Sequence, residues 1–587
     1  MAPFTEHFFI NQIINNMKKF YGWLGAAALL TLAACTKDIE GSKDLGADGD
    51  LYMTMTITQQ LSTRTSTPHQ GVEIGQTYEN AIKSGLLIIT DQSNNVITTA
   101  DIETGGLVGT SPNYLANFQM TRAELLTHMG ESPSKTYRLF MIANPKAGMK
   151  EAAIDKKSTG GTNNVQGVFE LTSDVATYWD QENGFLMTNA ELSETTIQAS
   201  ELALGKHTTK EDALNLGQVK IQRAMSRFDF AKGNVEFTTE NQKSTLKDIT
   251  ITFDGIALVN MATKANLFKE VGDNHGTYSE NTATADSWSF FRTETENVIS
   301  GDGATWTTTK DGNYVFSPEQ TSWINQMYDG NSPAGILTGK RIDFTSASSI
   351  TFDSFSAMET PDDANYTHPE TTTPEGEPDY YIWRYCMENT NYDKTNQKHG
   401  NTTGVVFRAK MTGTNIDGKT GTLYAYNNVI YGTLSDLQTY VANNAPENDA
   451  MHSTIKTKYE DAVAKKEAGD DEDNAKLNKA LVKNGFTLYA PTSNGSGSPD
   501  YYCYYIYWNR HNDNMNNSVM GAMEFATVRN NVYKLKVNKI TSLGHPGKPG
   551  DDPDPDDPGT PDEKDSFWGE VKCEILPWEV RINNIEF

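Results

Sequence analysis

Residues 544 to 564 run Gly-His-Pro-Gly-Lys-Pro-Gly-Asp-Asp-Pro-Asp-Pro-Asp-Asp-Pro-Gly-Thr-Pro-Asp-Glu-Lys. No segment of that kind joins a core. Its prolines remove hydrogen-bond donors, its glycines carry no side chain, and its aspartates repel one another, so the reading is an extended spacer. At about 3.1 Å per residue it reaches roughly 60 Å. Its aspartates lack the glycine and the spacing of a calcium loop. Beyond it, apolar chain returns. Val571, Cys573 and Ile575 alternate with Lys572 and Glu574, Pro577 interrupts, and Trp578, Val580 and Ile582 alternate with Glu579 and Arg581. Two consecutive strands with one apolar face each are expected, kinked at the proline.

An apolar strand on a long tether must be buried somewhere. Either it folds back on its own domain, or it adds to another subunit. Head-to-tail donation builds a filament unless the geometry closes a ring. Burial of five or six such side chains contributes on the order of 10 kcal/mol before ordering costs.

The other end of the chain carries a matching pattern. Leu51, Met53, Met55 and Ile57 alternate with Tyr52, Thr54, Thr56 and Thr58, another strand with one apolar face. A polar stretch follows in which Arg64 stands alone before Thr65. An arginine-specific protease cutting there would free this first strand and open a groove for an incoming tail. The plainer alternative is a surface arginine beside an edge strand. Upstream, Met17-Lys18-Lys19 and an apolar run from Tyr21 end at Leu32-Ala33-Ala34-Cys35. That run is too short to span a bilayer, and it reads as a lipoprotein signal cut before Cys35, whose thiol is acylated. Several acyl chains give a firm anchor in outer-membrane lipid. An ordinary secretory signal with a chance cysteine is the alternative. Met17 is the expected true start.

The net charge of −27 argues against nucleic acid and anionic lipid surfaces as partners. About 550 residues follow Cys35, enough for two to four domains. Strand-like runs dominate: 84–90, 137–143, 219–230, 248–253, 404–412 and 531–540. Helix is a minority. One short helix is expected from Ser435, and a pair is expected around Ile455–Val463 and Leu477–Val482, the last stopped by Gly485. Cys386, Cys503 and Cys573 are an odd set without C-x-x-C spacing, so buried free thiols are expected rather than a disulfide framework. The reading is all-β with minor helical insertions.

No metalloprotease, nucleophile-elbow or phosphate-loop motif is present, so no enzyme, metal or cofactor is expected. Arg510, His511 and Asp513 read as a polar corner rather than a catalytic cluster. Tyr501, Tyr504, Tyr505 and Tyr507 read as core and cross-strand aromatics. The alternative is a sugar-stacking platform on a monomeric glycan-binding lipoprotein.

The chain resembles the fimbrillins, structural subunits of the short fimbriae of Gram-negative anaerobes. The resemblance rests on residues 528–540, the Pro/Asp linker and the ending 571–580, in that order, with support from 501–514, 385–389 and 405–410. It implies two transthyretin-like β-sandwich domains in tandem plus a C-terminal donor strand. It also implies Cys35 as the lipidation site, cleavage between Arg64 and Thr65 by an arginine-specific protease, and exchange of strand 51–57 for a neighbour's 571–582. The expected organisation is signal 1–34, lipidated propeptide 35–64, N-terminal sandwich 65–234, C-terminal sandwich 235–543 with a helical insertion, linker 544–565 and donor strands 566–587. The implied partners are identical or related fimbrial subunits, with accessory tip and anchor subunits. The implied role is a shaft subunit in adhesion and biofilm formation, lipidated at the outer membrane and then extracellular; an accessory subunit is the alternative.

Overall fold

The computed structural model describes residues 51–59, 75–152, 178–190, 192–231, 248–272, 380–390, 401–444, 449–495, 497–511, 525–540, 542–547, 574–577 and 580–586, with shorter pieces at 168–170 and between 288 and 355. Strands carry the fold. In the first body these are β1 (Leu51–Gln59), β2 (Gly85–Thr90), β3 (Val96–Thr110), β4 (Asn113–Met120), β5 (Ser134–Ala143), β6 (Met187–Asn189), β7 (Ser193–Gln198) and β8 (Leu214–Arg223). Two short helices interrupt them, α1 (Thr77–Asn80) and α2 (Arg122–Met129).

These eight strands form one sheet in the order β7-β5-β2-β3-β4-β1-β8-β6. β6 also pairs with the far end of β5, through Ile142↔Thr188 and Ala143↔Met187. Seven of the strands therefore close into a ring, with β7 paired to β5 outside it, and closure removes edges that an open sheet exposes. Inside lies one continuous core that includes Leu51, Met53, Met55, Ile57, Phe118, Tyr137, Phe140 and Val219.

The chain leaves this sheet at Ala224. Residues 219–230 read as one long strand, but they are the end of β8 and the whole of β9 (Met225–Ala231), which belong to different sheets. The break falls where the Ala224 N–H turns to the carbonyl of Leu186 at 2.9 Å. The expected boundary at 234/235 lies ten residues further on.

The second body is a sandwich. β9, β11 (Tyr380–Met387), β17 (Asn531–Lys539), β18 (Glu574–Pro577) and β19 (Val580–Glu586) form a five-stranded sheet in the order β11-β9-β17-β18-β19. Against it packs a sheet built on β10 (Ile249–Val259), β12 (Gly404–Gly413) and β16 (Tyr501–Trp508). Inward residues of both sheets share one core, with Phe228 stacked on Tyr533 at 5.0 Å and Phe230 6.0 Å from Phe407. A sandwich needs this kind of inward alternation on both faces.

The helical insertion is α3 (Leu434–Ala442), α4 (His452–Lys465) and α5 (Ala475–Lys483), packed on a small sheet of β13 (Leu423–Tyr426), β14 (Val429–Ile430) and β15 (Thr487–Tyr489). The N-cap of α3 is Thr433 rather than Ser435, because Thr433 and Asp436 form a reciprocal capping box. Ile455 and Ala462 are buried as their spacing predicts, but Val463 lies 40% exposed. Gly485 follows α5 at φ +91°, in the left-handed cap. No helix among the described residues is long and apolar enough to cross a membrane.

Candidate functional site

β1 is a central stave of the closed sheet, not an edge. It runs antiparallel to β4, from Leu51↔Met120 to Thr58↔Asn113, and parallel to β8, from Met53↔Leu214 to Gln59↔Ile221. Burial alternates along it, and Leu51, Met53, Met55 and Ile57 are all fully buried. At roughly 1.5–3 kcal/mol each, these four side chains stabilise the body by about 6–12 kcal/mol. That is comparable to the whole stability of an ordinary domain, about 5–15 kcal/mol. Loss of β1 without replacement would therefore leave β4 and β8 as unpaired edges around an open core.

The last residue of β1 is tied most firmly. Gln59 Nε2 donates to the Asn80 carbonyl at 2.7 Å, and Ser111 Oγ donates to Gln59 Oε1 at 2.6 Å. Asn80 and its neighbour Glu79 lead into a buried polar junction between the two bodies. Arg223 donates from Nε to the Glu79 carbonyl at 3.1 Å and from a terminal nitrogen to Asn530 Oδ1 at 3.1 Å, and it also reaches the Asn80 side chain. One terminal nitrogen of Arg227 donates to both carboxylate oxygens of Glu79 at 3.0 and 3.1 Å, and the rest of the guanidinium forms a fork on Asp229 at 2.8 and 2.7 Å. Tyr385 donates to Glu79 at 2.6 Å. Burial pushes the Glu79 carboxyl up to about 7 against the pull of Arg223, and it pulls the Arg223 guanidinium down to about 10. Asn530 immediately precedes β17, the strand that receives the tail.

The tail folds back on its own chain here. β19 lies parallel to β17, from Val532↔Val580 to Lys539↔Glu586, with a register shift after Val537, while β18 meets it at Asn531↔Pro577. Ile575 sits on β18, and Val580 and Ile582 on β19. Cys35, Arg64, Thr65, Val571, Cys573 and Trp578 lie outside the described residues.

The first residues of the expected linker, 544–547, are buried rather than extended in solvent, because the tyrosine-rich strand β16 holds them. His545 and Tyr504 exchange backbone hydrogen bonds at 2.7 and 2.9 Å. Tyr489 donates to the Gly544 carbonyl at 2.8 Å, and Tyr505 donates to that of Ser542 at 2.9 Å. A Cβ on Gly544 would lie 2.5 Å from the Tyr504 carbonyl oxygen, so the close crossing requires glycine. Tyr501, Tyr504, Tyr505 and Tyr507 are no more than 2% exposed. They are core residues, and the platform reading of this segment does not hold. His511 is likewise buried, with Nδ1 3.1 Å from the Tyr533 hydroxyl. Cys386 and Cys503 are buried free thiols, and burial pushes Cys503 up to about 12. Among the described residues no cluster suited to a metal occurs.

The segment crossed by these contacts also carries the family signature. Residues 500–584 match the C-terminal domain of fimbrillin, the major fimbrial subunit protein type IV. This C-terminal segment is similar to fimbrillin. The fimbrillin match spans β16, β17 and the first part of β19, so it covers both the base of the tail and the strand that holds it. Among curated proteins none matches. Among solved structures, a Parabacteroides distasonis protein assigned to cell adhesion is similar at 10% identity and a TM-score of 0.33, over 90% of this chain and 98% of its own. One from Bacteroides eggerthii has 11% identity and a TM-score of 0.33, over 93% and 99%. The tip fimbrial protein of Porphyromonas gingivalis, truncated at its C-terminus, has 13% identity and a TM-score of 0.22, over 58% and 99%.

Sequence reasoning found β1 and the tail but not the junction. Glu79, Arg223, Arg227 and Asp229 read as scattered charges. One signal was available: Arg227 and Asp229 stand two apart in a strand otherwise without charge, which places both on one face.

Proposed function

We propose that this protein is a structural subunit of a surface fimbria, serving adhesion and biofilm formation. Subunits join when an arginine-specific protease cuts between Arg64 and Thr65 and a neighbour's tail replaces β1. The precursor travels as a lipoprotein acylated on Cys35, in the outer membrane. Cleavage separates the body from that anchor and turns β1 from a covalent part of the domain into a bound peptide. The incoming segment carries Val571, Cys573, Ile575, Trp578, Val580 and Ile582, the donor strand that transthyretin-like subunits would share. Identical subunits form the shaft, and related tip and anchor subunits would use the same joint.

The observation that carries this reading is the position of β1. It is a nine-residue strand bonded on both sides, and in sequence it comes just before Arg64. A slot of that kind fits one extended strand and pairs it along both edges. Because four buried side chains hold β1, the cut alone does not expel it, and a strand of matching alternation must take its place.

The test is treatment of the purified full chain with an arginine-specific protease. The expected product is a ladder of SDS-resistant polymers. A chain ending at Lys564 should stay monomeric under the same treatment, and ladders from it would refute tail donation. Arg64→Ala should block conversion, and polymerisation unaffected by that change would refute cleavage at this site.

A further inference from the structure

We infer that the cleft between the two bodies is a binding site for an uncharged sugar ring, a function separate from polymerisation. The cavity measures about 360 Å³, within the ~300–1,000 Å³ range typical of small-ligand sites, which favour such domain junctions. The first body contributes Tyr78, Trp179 and Gln181. The second contributes Asp353, Asn325 and consecutive residues of β11, including Arg384 and Tyr385. β11 is the outer strand of its sheet, which is why residues of both its faces reach the cavity.

The lining combines two kinds of surface. One is aromatic and held in place. Trp179 and Tyr385 lie side by side, 6.3 Å apart and tilted by 35°. Tyr385 is fixed by an edge contact to Phe185 at 4.9 Å and by its hydrogen bond to Glu79. Trp179 is only part-buried, so its ring adds an apolar face at the cavity wall. The other surface is polar but carries no net charge. Asp353 accepts from Trp383 Nε1 at 2.8 Å and from Arg384 Nε at 2.9 Å, and it also meets the second Arg384 nitrogen. Arg384 and Asp353 thus neutralise each other, while the Arg384 side chain stays 49% exposed. Gln181 is exposed at the rim.

A ligand for this lining needs an apolar face, hydrogen-bonding edges and no charge. A sugar ring has all three: its axial C–H groups pack on an aromatic face, and its hydroxyls pair with amides and with both members of a fixed ion pair. An anion would find the one arginine already paired. An extended peptide long enough to pair along β11, which is eight residues long, would not fit a cavity of this size.

The test is saturation-transfer NMR on the full chain with the methyl glycosides of glucose, galactose, mannose and N-acetylglucosamine, and with inorganic sulfate as the anion. The expected result is saturable binding of at least one glycoside, strongest at its ring C–H protons, with no competition from sulfate. Trp179→Ala should weaken it about tenfold or more, the loss of about 1.4 kcal/mol of contact. Gln181→Ala, at an exposed rim position, should weaken it with the unfolding midpoint unchanged. No binding of any of the four glycosides to millimolar concentration, equal affinity in both variants, or displacement by sulfate would overturn the assignment.

Discussion

Gln59 Nε2 donates to the backbone carbonyl of Asn80 at 2.7 Å, joining the last residue of the first strand to the polar junction between the two bodies. Both residues are buried, and Arg64 lies between them in sequence. This bond holds the end of β1 that faces the proposed cut. The same carbonyl also accepts from Tyr114 at 3.1 Å, so loss of the Gln59 amide leaves Asn80 satisfied and removes mainly the hold on β1.

Gln59→Ala should therefore lower stability by about 1–2 kcal/mol, the range expected for loss of buried hydrogen bonds. It should also speed ladder formation after arginine-specific cleavage, because the departing strand has lost its end anchor. Urea unfolding and timed SDS gels read the two effects. Unchanged stability with unchanged ladder kinetics would mean that Gln59 does not hold the strand.

The Glu79 carboxyl makes folding pH-dependent in a definite direction. Its pKa in the folded chain is about 7 against an ordinary 4.5, so the folded form binds its proton more readily than the unfolded form. The native state is favoured below the ordinary value, and this advantage disappears as pH rises towards about 7, by at most about 3 kcal/mol. Arg223, Arg227 and Asp229 surround the group and share its charge. Glu79→Gln should flatten the slope of unfolding free energy between about pH 4.5 and about 7. The same slope in both proteins would assign the dependence to another group.

The pair Arg529–Glu388 is fully buried, bonded at 3.1 and 3.2 Å, and Arg529 also donates to the Asn266 carbonyl at 2.6 Å. Breaking such a pair from one side strands a charge in the core. Arg529→Met should cost about 3–5 kcal/mol, and the double change with Glu388→Met should recover much of it. Denaturant unfolding of the three variants checks this. A double variant as unstable as the single would show that the carbonyl contacts, rather than the stranded charge, set the cost.

Gly544→Ala places a methyl group 2.5 Å from the Tyr504 carbonyl. The crossing at the base of the tail must open, at a cost of about 1–3 kcal/mol. Amide hydrogen exchange at Tyr504 and His545 should accelerate, since these two share the backbone bridge. Protection equal to that of the parent chain would show that the crossing tolerates the methyl group.

How much of this was legible depends on the range of the interaction. The alternation of β1 was readable because it is local: Leu51, Met53, Met55 and Ile57 face inward as a period of two requires. Its place in the middle of the sheet was not readable, because that is set by β4 and β8, the latter about 160 residues away in sequence. The tyrosines of β16 were readable as core, yet their role in pinning residues 542–547 depends on a crossing that only the fold creates. The break at Ala224 was hidden because no proline or glycine marks it and the apolar pattern runs through. The junction and the cleft were hidden for the same reason: each gathers residues from distant segments, and charge in sequence reads as surface until its partner is known.

The central claim is that β1 is exchanged, and N-terminal sequencing of assembled polymer tests it most directly. The account predicts that the polymer chains begin at Thr65 and that the peptide containing Leu51–Gln59 is absent from the washed assembly. Polymer chains that begin at Cys35 and still contain Leu51–Gln59 would contradict it.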